Sequence, residues 1–139
     1  MKSFPRLFLI ASLLLAAAAG AIAQDHAVNA NVPFDFFVGD RFLPAGHYVL
    51  SFPYAGSIEI QSQDRRMTTF IVAIPGLQEP DHGSQLEFKK YGQAYFLHRV
   101  LCPVATGMNR VIPAGKHEKT VIDREAKIGD SSTVLVAAK

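Results

Sequence analysis

Glycine- and proline-bearing turns recur at short intervals along this chain, and the stretches between them are too short for ordinary globular helices. They fall at Gly39-Asp40, Pro44-Ala45-Gly46, Pro53 to Gly56, Pro75 to Ser84 and Gly92-Gln93, with a charged turn at Asp64-Arg65-Arg66. Glycine reaches positive φ without a steric penalty and proline presets φ, which is why these residues mark reversals. Between the turns, apolar and polar residues alternate. Val28, Ala30, Val32, Phe34 and Phe36 share one side, against Asn29, Asn31, Pro33 and Asp35; Ile58 and Ile60 alternate with Glu59 and Gln61. A period of two marks a strand with one buried face. The expected architecture is therefore mostly β, a single antiparallel β-sandwich or small β-barrel of about seven strands.

The pattern places strands at 28–36, 41–43, 47–52, 57–62, 67–74, 85–91, 94–101 and 133–138. Pro33 lacks a ladder donor, so the first strand is expected at an edge or with a bulge. Phe70 to Ile74 is apolar on both faces and reads as a central strand. Phe34, Phe36, Phe52, Phe70, Phe88 and Phe96 fit the inward alternation and form the predicted core. Between Lys116 and Lys127 the charge-rich sequence sets Val121, Ile122, Ala126 and Ile128 at helical spacing, with Gly129 placed to end one short helix; the competing reading makes Thr120-Val121-Ile122 a strand. Arg41 to Gly46 and Arg110 to Gly115 share an Arg and a Pro-Ala-Gly turn, read as two independent turns.

Residues 1–23 have the three parts of a signal peptide: Lys2 and Arg6, an apolar run from Leu7 to Ala19, and Ala21-Ile22-Ala23 before Gln24. Small side chains at minus three and minus one suit signal peptidase. The expectation is an N-terminal signal-peptide helix, cleavage between Ala23 and Gln24, and a mature form that does not span a membrane, periplasmic or extracellular. The 139 residues less this leader leave 116 for a single β-domain, 24–139. Removing Lys2 and Arg6 from fourteen basic residues leaves twelve against twelve acids, so the whole-chain charge of +2 belongs to the leader. No basic stripe remains for a phosphate backbone, which argues against nucleic acid as a partner.

Cys102 is the lone cysteine, so no intrachain disulfide is available and it reads as a free thiol in a buried position. The histidines His26, His47, His82, His98 and His117 fall in no metal-ligand spacing, and neither metal nor cofactor is expected. His98 and Cys102 are four residues apart in an extended strand, too far for a local dyad. Asp35, Glu59 and Glu87 are placed on solvent-facing strand positions.

The stretch Val32-Pro33-Phe34-Asp35-Phe36-Phe37-Val38-Gly39-Asp40, followed by Leu43-Pro44-Ala45-Gly46-His47-Tyr48, resembles a group of small exported bacterial β-proteins. These carry a signal peptide, a "VPFxFxVG" strand, an "LPAGxY" turn and a later hairpin similar to Leu86 to Leu97. The resemblance implies an architecture with a charged, helix-like segment near the C-terminus, and it implies no catalytic residue.

Phe37, Tyr48, Tyr54, Tyr91 and Tyr95 do not fit the inward alternation, and such rings could stack on a sugar or peptide. They are the candidate ligand-binding residues. The leading expectation is a non-enzymatic exported domain, a binding or structural module of the cell envelope whose partner is an envelope protein or glycan. The alternatives are a small apolar-ligand carrier barrel and a hydrolase-type enzyme. Self-association is expected through an edge near 28–38 or through the last strand.

Overall fold

The computed structural model describes residues 27–80, 83–103, 107 and 109–139. The expected leader with its expected cleavage position, His26 and His82 lie outside the described residues. Eleven strands and one helix follow in order: β1 (Val28–Val32), β2 (Phe36–Val38), β3 (Arg41–Leu43), β4 (Gly46–Ser51), β5 (Ser57–Ser62), β6 (Thr68–Val72), β7 (Ile74–Pro75), β8 (Gln85–Tyr91), β9 (Ala94–Leu101), β10 (Arg110–Val111), α1 (Lys116–Glu125) and β11 (Ser131–Ala137).

They build a β-sandwich with the character of a curled half-barrel. One sheet runs β1-β4-β5-β6, the other β11-β8-β9-β10-β7, with β2 and β3 added beside β9. The sheets meet where Ala30 bridges Ala138 and Asn29 exchanges backbone hydrogen bonds of 2.7 and 2.9 Å with Lys139. Between them lie Val32, Phe36, Val38, Leu50, Ile58, Leu86, Phe88 and Val100, all almost wholly buried. Each large apolar side chain taken from water contributes about 1.5–3 kcal/mol. Among the described residues no helix is long and apolar enough to cross a membrane.

The predicted first strand is two strands in different sheets. Pro33 and Asp35 lie in the crossing, and Asp35 accepts the Ala45 N–H at 2.8 Å, tying it to the Pro-Ala-Gly turn. All pairs are antiparallel except β2 with β9, which meet in parallel at Phe37 and Phe96. The predicted central strand is at an edge: β6 closes its sheet, and Phe70 and Val72 are 63% and 73% exposed. An apolar run suits a central strand, but here the outward side chains stay uncovered. Phe52 is only partly buried and packs against the core, as does Phe34. Glu87 is buried rather than solvent-facing, because the pairing of Glu87 with Arg99 gives it a guanidinium partner at 2.5 Å.

Helix α1 forms where expected but shows a different face. Glu118 and Val121 are its buried residues, while Ile128 is 69% exposed. Gly129 adopts φ +73° and its N–H reaches the Glu125 carbonyl at 2.8 Å, a left-handed stop suited to glycine. At the other end Gly115 offers no side chain to cap the helix, and Asp40 does so from the β2–β3 turn, accepting the His117 N–H at 2.9 Å.

Candidate functional site

A large open depression lies over one end of the β1-β4-β5 face. Strand alternation turns Asn29 and Asn31 of β1 outward, and the register sets Asn31 opposite His47 and Asn29 opposite Val49 on β4. Gln63 follows β5, its N–H donating to the His47 carbonyl at 2.9 Å. One lobe, about 490 Å³, is walled by Ala137, Ala138 and Lys139; a second, about 410 Å³, by Pro44, Asp64 and Met67. His47, Tyr48 and Gln63 line both depressions and lie between them.

The second lobe is braced by a compact network. Ser62 Oγ donates to Asp64 Oδ1 at 2.5 Å and accepts the Met67 N–H at 3.0 Å, while Asp64 also accepts the Arg66 N–H at 3.1 Å. The Ser62 hydroxyl and then the Arg66 N–H hold the Asp64 carboxyl below its ordinary range. Arg65 takes φ 57°, the left-handed conformation that lets this turn close. Tyr48 forms the floor: it is buried and donates its hydroxyl to the Pro44 carbonyl at 2.5 Å. Burial, then the charges of Asp35 and Asp64, raises its phenol.

Asn29, Asn31, Gln63 and the exposed His47 thus line one depression whose surface is otherwise mainly apolar. Each amide offers donors and an acceptor, which suits recognition of a neutral polar chain. Among the described residues no three His, Cys, Asp or Glu side chains gather as a metal-binding group.

The aromatic candidates do not share one surface. Tyr48 lies beneath the groove. Tyr54 stands 75% exposed in the β4–β5 turn. Tyr95 stacks on Phe34 at 4.0 Å, with the Lys90 ammonium 5.5 Å from its ring centre. Phe37 stacks on Phe96 at 5.2 Å, and Tyr91 and His117 lie 5.9 and 5.8 Å from Phe96. Phe96 is fully buried on the face turned away from the main core, where α1 and these rings cover it. Cys102 is buried, and desolvation raises its thiol against a weaker lowering by Arg110. Its N–H donates to Asn109 Oδ1 at 2.8 Å, whose amide in turn reaches the Leu77 carbonyl at 2.8 Å. Burial first, then Lys89, lowers the His98 imidazole.

Sequence reasoning missed Asn29, Asn31 and Gln63 as site residues and considered His47 only as a metal ligand or as part of a catalytic cluster. Asn29 and Asn31 were readable as outward-facing, but their convergence with His47 and Gln63 depends on cross-strand register. An apolar-ligand carrier needs an enclosed cavity of several hundred Å³. Both large depressions instead open at the surface, and phenylalanine and aliphatic side chains fill the space between the sheets. The chain finds no match among family models, curated proteins or solved structures.

Proposed function

We infer that this chain is an exported, non-enzymatic binding module of the cell envelope, taking an envelope protein or glycan in the groove around His47. The observation that carries the reading is the pair of adjoining surface depressions, lined by Asn29, Asn31, His47 and Gln63 from separate strands and the β5–β6 turn. The basic start, apolar run and Ala21-Ile22-Ala23 site support export. The resemblance to small exported β-proteins points the same way.

Two measurements test this. Mass spectrometry of the protein recovered from outside the cytoplasm is expected to show Gln24 as the first residue; a retained leader would reject the cleavage. The exported domain is then used to capture protein from envelope extract and, separately, to co-sediment with purified cell-wall glycan. His47→Ala with Gln63→Ala is expected to reduce capture at least about tenfold, equivalent to about 1.4 kcal/mol. Equal capture by parent and variant removes the groove as the site, and no capture of either class removes the binding reading.

A further inference from the structure

Of the two edges first expected to self-associate, β1 meets β11 only at the latter's end, at Ala30 and Ala138, and along the rest of β11 Leu135 alone is a large exposed hydrophobic residue. The other ends of the paired strands differ in how they are protected. β3 is three residues long and carries Arg41, while β7 is two residues long and contains Pro75. Short length, charge and proline are the usual devices against unwanted strand pairing. β6 has none of them. It runs five residues, its only strand partner among the described residues is β5, and no charged residue occurs from Met67 to Gln78.

The apolar surface here is also large. Phe70, Val72 and Ile74 follow at every second residue and are 63%, 73% and 55% exposed; Leu77 beyond them is 89% exposed. With roughly 150–200 Å² for each fully exposed side chain of this size, the four present on the order of 500 Å². Pairing at the strand edge covers the parts of Phe70 and Val72 that lie against the partner strand, and the backbone edge supplies the rest of the contact.

We propose that β6 is the pairing edge of a two-fold dimer, in which β6 of a second copy adds antiparallel and extends the four-stranded sheet to eight. The strand suits its own image. Centring the pair on Phe70 sets Phe70 opposite Phe70 and Thr68 opposite Val72, an aromatic pair flanked by polar–apolar pairs. The pairing edge lies at the opposite end of the sheet from β1, so loss of the dimer and loss of the His47 groove are separable.

The test uses the full chain, expressed with its leader, recovered after export and kept in reductant. Sedimentation velocity is expected to show a dimer at about 100 μM or below, a concentration that even a weak specific interface populates. Val72→Lys and Phe70→Lys, both at exposed positions, are expected to sediment as monomers with unchanged circular dichroism; Tyr54→Lys, exposed elsewhere, remains dimeric. With Cys102→Ser in the background, Phe70→Cys is expected to form an intermolecular disulfide on oxidation, because opposed Cβ atoms in antiparallel strands lie about 4.5–5.5 Å apart. A monomeric parent overturns the proposal, including one captured only by a different protein. So does a dimer that survives both lysine variants, or one that fails to cross-link through residue 70.

Discussion

At Asp40 a single carboxylate joins positions 77 residues apart, supplying α1 with the cap that Gly115 cannot. Asp40→Ala is expected to cost about 1 kcal/mol, the usual worth of an N-cap, read as a fall in the thermal midpoint. Gly115 is constrained by space: a Cβ there would lie 2.5 Å from Asp40 Oδ1 and 2.9 Å from the Gly39 carbonyl carbon. Gly115→Ala is therefore expected to cost about 1–3 kcal/mol, through displacement of the turn that caps the helix. Arg99 is a third such point. It lies between Glu87, at 2.5 Å, and Glu79, with the Glu87 side chain only 9% exposed. Arg99→Met would leave a buried carboxylate unpaired and is expected to cost about 3 kcal/mol in denaturant unfolding, whereas adding Glu87→Gln should recover much of that loss.

Among the elements, those bounded by turns and patterned with period two were readable from the sequence. β3, β5, β8 and β9 lie at the residues the alternation gave. The β1–β2 break was harder to read, because Pro33 lies inside an alternation that continues while the backbone changes sheets. Phe96 shows the same limit, since its position in the pattern does not say that a later helix will bury it on the far face. The candidate site was less legible still: its groups come from β1, β4 and the end of β5, and only their register brings them together. Helix α1 is the element most separable from the rest, as it seals Phe96, Phe37 and Tyr91 outside the main core. Val121→Ala is expected to cost about 1–2 kcal/mol. Hydrogen exchange should show protection falling first in α1 while β8 and β9 keep theirs; equal loss across all three would contradict this separation.

Across the whole molecule, two titrating groups act on stability in opposite directions. Burial, opposed only by Lys89, raises the Glu118 carboxyl, so its stabilisation is complete below the ordinary glutamate range and is lost as pH rises through the raised folded value. His98 is lowered by burial, Lys89 and Arg99 against Glu87, so its contribution is complete above the ordinary histidine range and is lost as pH falls through the lowered folded value. In mild acid the two slopes offset one another. Relative to the parent, Glu118→Gln is expected to gain stability from mild acid toward neutrality, and His98→Asn from neutrality toward mild acid. Denaturant midpoints measured across that range check both, and parallel curves for parent and variants would reject the assignment. The stitch between Ala30 and Ala138 has a kinetic consequence as well. β1 is already paired along β4, so the stitch adds to it the contacts of largest sequence separation among the described residues, those with the greatest loop to close. The tie between the two sheets at this end is therefore the one part of the fold that cannot form before residues 137–139 have left the ribosome.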